Sequence, residues 1–176
     1  MEFSKLVKER YACRKYSSRR VEKETLYKII SEALNAPSAK NTQPWEFFVA
    51  SEKDEADKIR ECLQDDGKNG FLSAAPSFIA VFENTPANIA CPKYDNERFV
   101  KYDVGEIVAY LTLSAKNAGL DTCIIGWINE ERLKINVGVN KPCGIVVAVG
   151  YAADGAQTIE KKRIDIKEKI INYKEN

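Results

Sequence analysis

The chain has 176 residues, of which 44% are apolar and 30% charged, and a formal net charge of +1. That length suits one domain with its own core, and the near-neutral balance gives no bulk attraction to nucleic acid or to a membrane surface. Histidine is absent, which closes off an imidazole base, a Ser-His or Cys-His pair and a histidine-rich zinc site; no spaced cysteine pair replaces the missing ligands, so no metal centre is expected.

The cysteines, Cys13, Cys62, Cys91, Cys123 and Cys143, are odd in number and not closely spaced. This fits a reducing compartment better than a disulfide framework. No apolar run is long enough to span a bilayer, and the N-terminus lacks the apolar core of a signal peptide, so a cytoplasmic protein is expected.

In chain order, Arg10 and Arg14 come first. On a helical turn, residues four apart share one side, where two guanidinium groups could grip a phosphate; the plain alternative is a solvated face. Leu26, Ile29, Ile30, Ala33 and Leu34 recur at helical spacing and predict a helix over roughly 22–35, stopped by Asn35 and Pro37. The loop from Ala36 to Pro44 follows. Its prolines suit a rigid connection, whereas Ser38, Asn41, Thr42 and Gln43 beside Trp45 suit contact with a flat polar heterocycle. With the arginine pair, they point to a bound flavin nucleotide.

Glu46–Ala50 predicts a strand, and the charged helix after it places Ala56, Ile59, Cys62 and Leu63 on one face. Asn69 is a weaker polar candidate that alone would be a turn residue. Ser77–Phe82 is nearly unbroken in apolar content, which suits a central strand covered on both faces.

Glu83 to Lys101, with Pro86, Pro92 and several asparagines, predicts a long excursion. The aromatics near its end, Tyr94, Phe99 and Tyr102, could cover a planar acceptor or pack on their own domain. Asp103 to Ala118 predicts the strongest helix, with Asp103 as its cap and Gly119 as its end. Thr122–Ile125 is a short strand, Asn129 caps a helix bearing Leu133 and Ile135 or Val137, and Gly144–Tyr151 is the last strong strand. The tail beyond Ala153 carries Lys161, Lys162 and Arg163, then isoleucines that it cannot bury alone. Pairing with a second subunit would explain them.

The order Arg10-x3-Arg14, an amphipathic helix, then Ala36-Pro37-Ser38-Ala39-Lys40-Asn41-Thr42-Gln43-Pro44-Trp45 before a strand resembles the nitroreductase family of flavoproteins. Further matches lie at Asp103-Val104-Gly105, Asn117-Ala118-Gly119-Leu120, Thr122-Cys123-Ile124-Ile125-Gly126, Val147-Ala148-Val149-Gly150-Tyr151 and the basic tail, so one domain over residues 1–176 is implied. The resemblance implies an α+β sandwich with a mainly antiparallel sheet between helices. It also implies a homodimer that exchanges its C-terminal tails and binds FMN at the subunit interface.

Carried over by position, the resemblance assigns Arg10, Lys161 and Arg163 to the phosphate, and Tyr11, Ala12 and Arg14 to the ribityl and pyrimidine side. Pro37, Ser38, Ala39 and Asn41 would meet the partner's isoalloxazine, and Gly126, between Ile125 and Trp127, would offer a backbone N–H near the reactive ring nitrogen. Arg14 and Gly126 would tune the flavin, with no catalytic side chain required. Three positions depart from the family's common pattern: Ala12 where serine is frequent, Leu72 where some members place a lysine, and Trp127 where a small residue is often found.

The implied activity is hydride transfer from NADH or NADPH through FMN to a small planar acceptor, such as a nitroaromatic or quinone, by a ping-pong cycle. Flavin-dependent reductive dehalogenation and flavin modification are alternatives among the family's relatives. A non-enzymatic nucleic-acid module would be the rival of another class, and the neutral charge argues against it.

Overall fold

Alternation of side chains on two adjacent strands builds the centre of the molecule. In β2 (Ser77–Glu83), Phe78, Ala80 and Phe82 enter one apolar cluster while Ile79 and Val81 enter the other. In β4 (Ile145–Gly150), Val146 and Ala148 face the first cluster, and Val147 and Val149 the second. Period-two geometry with both faces covered is what an unbroken apolar strand requires. Phe78 and Phe82 are almost fully buried, and each contributes roughly 2–3 kcal/mol of hydrophobic stabilisation.

The computed structural model describes residues 2–63, 67–84, 97–156 and 160–173. Among them are five α-helices and one four-stranded sheet in the order β1-β2-β4-β3, with every pair antiparallel. The outer strands are β1 (Trp45–Ala50) and β3 (Asp121–Ile125). The architecture is the expected α+β sandwich. Helix α1 (Phe3–Glu9) lies near the N-terminus. Helices α2 (Lys23–Ala33) and α4 (Glu97–Asn117) supply the second cluster through Leu26, Ile29, Ile107 and Leu111. Helices α3 (Lys53–Leu63) and α5 (Glu130–Val137) supply the first through Ala56, Ile59, Cys62, Leu63 and Leu133.

Four predicted elements agree closely. The helix expected over 22–35 is α2, the apolar face expected of the charged helix is the buried face of α3, Ser77–Phe82 is an inner strand, and Asn129 caps α5 by accepting from the Arg132 N–H at 3.1 Å. In α5, Leu133 is buried, Val137 is half-buried and Ile135 is 80% exposed.

Three expectations need correction. Arg10 and Arg14 do not share a helical turn, because α1 ends at Glu9 and Arg10 is already extended with φ −61° and ψ 123°. Asp103 does not cap α4, which begins six residues earlier at Glu97. Phe99 and Tyr102, assigned to the excursion, therefore belong to this helix. Burial of Val100 and Val104 on the same face as Ile107 and Leu111 extends the helix through them. The part of the expected excursion at 85–96, with Cys91 and Tyr94, lies outside the described residues.

The segment after α1 closes one side of the sheet. Ala12 forms a parallel bridge with Thr122 of β3, and the Cys13 N–H donates to the Thr122 carbonyl at 2.9 Å. Tyr16 bridges Ala152, and its hydroxyl reaches the Ala148 carbonyl at 3.4 Å. Gly150 fits beneath this ring only because it has no side chain. A Cβ there would stand 2.7 Å from Pro76 Cδ and 2.9 Å from Tyr16 Cδ1. Gly150→Ala is accordingly expected to cost about 2 kcal/mol by overpacking and to lower Tm by roughly 4–8 °C. An unchanged melting curve would show that Pro76 and Tyr16 can both move away without cost.

Candidate flavin site

The two cationic sets, some 150 residues apart in sequence, meet. Arg10, Tyr11, Ala12 and Arg14 from the extended segment, and Glu160, Lys161, Lys162 and Arg163 from the tail, line one open cavity of about 410 Å³. The tail is held there by Lys161, whose Nζ donates to the Val7 carbonyl of α1 at 2.6 Å. Loss of hydration and repulsion from Arg10 and Arg163 lower the Lys161 pKa. Five cations against the single carboxylate of Glu160 leave an excess of positive charge that a multiply charged anion relieves. The cavity continues past Tyr11 into a groove of about 900 Å³ that also includes Lys8, Glu9 and Lys116.

Beneath the cations, Cys123 is buried. Desolvation raises its pKa, while Arg14 and Arg10 pull it the other way. This places both guanidinium groups within electrostatic reach of β3. Lys116 pairs with Asp121 at 2.8 Å and lies 5.7 Å from the centre of the Tyr11 ring. Burial raises the pKa of Tyr11 above its ordinary value, and the neutral phenol can donate a hydrogen bond.

The predicted loop has an internal scaffold. Lys40 and Asn41 have φ 54°, and Gln43 has φ 47°, left-handed conformations that must be held in place by neighbouring bonds. Ser38 Oγ accepts from the Gln43 N–H at 3.0 Å, and Thr42 Oγ1 donates to the Ala39 carbonyl at 2.9 Å. The tie to the body is Asp103. Both oxygens of this buried carboxylate lie within hydrogen-bond distance of the Ala39 N–H, at 3.1 and 3.2 Å. Pro37 and Asn41 remain exposed, and no residue of 37–45 lines the cationic cavity. Within one chain, the structure does not bring the loop and the cations together.

Ile125 is buried at the end of β3, and Gly126 is exposed just beyond it. Asn69 is 8% exposed, and its Nδ2 donates to the Leu63 carbonyl at 2.8 Å and the Trp127 carbonyl at 3.1 Å. It therefore fastens the 67–72 turn to the exit of β3. Leu72 is fully buried. Lys68, four residues earlier, instead presents its ammonium group to Trp127, and Phe71 lies 5.7 Å below the Arg14 guanidinium. Lys68, Phe71 and the tether role of Asp103 were not found from sequence. A single cation in a glycine-flanked turn has no periodic signature, although Gly67-Lys68-Asn69-Gly70 marks the turn itself.

The family model described as "Nitroreductase family" matches residues 7–151. Iodotyrosine deiodinase 1 of Rattus norvegicus is 29% identical over 192 aligned positions, covering 92% of this chain and 66% of its own, so the chain spans about two thirds of that relative. An Archaeoglobus fulgidus protein described as a candidate NADH dehydrogenase/NAD(P)H nitroreductase is 29% identical, with 87% of each chain covered. A protein from Exiguobacterium sibiricum solved in complex with FMN superposes with a TM-score of 0.84 at 21% identity, covering 99% of this chain and 98% of its own.

Proposed function

Since the chain belongs to the nitroreductase family, we propose that it is an FMN-dependent oxidoreductase that uses NADH or NADPH to reduce a small planar acceptor and works as a homodimer. The observation that carries this reading is the convergence of Arg10, Lys161 and Arg163 on one cavity. These residues fit a phosphate dianion, and the neighbouring Tyr11, Ala12 and Arg14 fit the polar chain and ring that follow it. Bound FMN would accept hydride from the nicotinamide and deliver it to the acceptor.

The rest of the work falls to the chain. Arg10, Lys161 and Arg163 hold the phosphate, with bidentate geometry available to the two arginines. Arg14 places positive charge beside the ring and favours its reduced form. Ala12 contributes backbone only, and Gly126 exposes an N–H unobstructed by a side chain. Pro37, Ser38, Ala39 and Asn41 cover the ring of the partner subunit. Support for this comes from the exposure of Pro37 and Asn41 and from the absence of these four residues from the lining of their own chain's cationic cavity. Exchange of the C-terminal tails agrees with the exposure of Ile164, Ile166, Ile170 and Ile171, which is 40% or more at each. No helix among the described residues is long and apolar enough to cross a membrane, and a cytoplasmic location is part of the same proposal.

The test is a visible spectrum of the purified protein, identification of the released cofactor by mass, and NADH or NADPH oxidation with a quinone or nitroaromatic. Protein that stays colourless after refolding with FMN rules the reading out. The deiodinase relatives support a second reading, flavin-dependent reductive dehalogenation. Iodide release from iodotyrosine by FMN-loaded protein supplied with NADPH or dithionite as the two-electron donor, with nitroaromatics left untouched, would favour it over the first.

A further inference from the structure

Trp127 is 53% exposed, although it directly follows Gly126 at the exit of β3. A single exposed aromatic is ordinary; what sets Trp127 apart is its place directly after Gly126 together with its cationic neighbour. Its ring is partly covered by a charge: Lys68 Nζ lies 3.5 Å from the ring centroid. This is well inside the roughly 6 Å at which a cation and an aromatic face attract.

The arrangement is fixed from below. Asn69, next to Lys68, donates to the Trp127 carbonyl and to the carbonyl of Leu63 at the end of α3, so the turn and the strand exit cannot separate without breaking buried hydrogen bonds. Two residues further on, Phe71 lies under Arg14. The short segment 67–71 thus links Lys68 and Trp127 to Arg14, one of the residues lining the cationic cavity.

Chemically, the pair offers two different contacts. The exposed part of the indole is a surface on which a planar ring can stack, and it does not distinguish charged rings from neutral ones. The ammonium group has three N–H donors and cannot direct all of them at the indole, which leaves donors for a carboxylate. We propose that Lys68 and Trp127 form a specificity element that selects planar aromatic acceptors carrying a carboxylate over uncharged acceptors of the same shape. This rests on the FMN oxidoreductase reading and adds to it a class of acceptor.

The experiment is calorimetric titration of FMN-loaded protein with benzoate and with benzamide, which share a shape and differ in charge. Benzoate is expected to bind about tenfold more tightly, the effect of one charge-assisted hydrogen bond. Lys68→Gln should bring the two within about twofold of each other, and Trp127→Ala should weaken both. The KM values for 4-nitrobenzoate and 4-nitrobenzamide should show the same ratio and the same response. Equal binding of both probes by the natural protein, or a benzoate preference that survives Lys68→Gln, overturns the proposal. Protein that takes up no FMN removes the parent reading and this inference with it, whereas FMN uptake without a carboxylate preference removes this inference alone.

Discussion

Replacing Arg10 with alanine is expected to weaken FMN binding by roughly 2–3 kcal/mol, or about 30- to 150-fold in Kd, because it removes charge-assisted bonds to a phosphate. The structure adds a second, opposite effect. In the ligand-free protein Arg10 lines the cavity with Lys161 and Arg163, and after loss of hydration its repulsion helps to lower the Lys161 pKa. Its removal relieves repulsion, so ligand-free Arg10→Ala should melt no lower than the natural protein, while the stabilisation gained on adding FMN shrinks. Arg10→Lys keeps the charge but loses the planar fork, and should fall between the two. Flavin fluorescence titration and paired melting curves measure both effects. Unchanged FMN affinity would show that the phosphate is anchored elsewhere, and a fall in the ligand-free Tm would show that Arg10 is structural.

The second large effect is expected at Asp103. Its buried carboxylate accepts the Ala39 N–H and holds a loop containing three residues with left-handed backbone angles. Asp103→Ala leaves that N–H without its acceptor, at a cost of about 2 kcal/mol. The better helix propensity of alanine returns only a few tenths of this at an interior position of α4. A Tm drop of roughly 3–8 °C should follow. Asp103→Asn, which retains an acceptor, should lose about half as much. Amide exchange at Ala39 and Asn41 should accelerate even where global stability is little changed. If protection there is unaltered, the loop is held by its internal Ser38 and Thr42 bonds and the tether is dispensable.

Asp103 also shows where sequence reasoning stopped. An acidic residue ahead of Val104, Ile107, Val108 and Leu111 has the pattern of a helix cap. The helix instead starts at Glu97, because Val100 and Val104 continue the buried face backwards. The carboxylate therefore points to a loop 64 residues away, a long-range contact that no local pattern encodes. Ser77–Phe82 was legible for the converse reason: a strand buried on both faces must be apolar at consecutive positions, and that requirement is local. The arginines fall between these cases. Their chemistry was legible and their helical spacing was not, since α1 stops at Glu9 and the extended chain still carries both to one cavity. Lys68 was not legible, because its contact with Trp127 depends on how the 67–72 turn meets the end of β3.

The pairing of Ala12 and Cys13 with β3 has a consequence for solubility. A strand at the margin of a sheet presents unpaired amides and carbonyls that can recruit the same strand of another molecule. Here the segment bearing Arg10 and Arg14 occupies that margin at Thr122, so the residues that gather the cations also act as a guard against intermolecular strand addition. A form of the protein trimmed past Cys13 would lose this cover together with Arg10, and would face aggregation as well as a lost ligand.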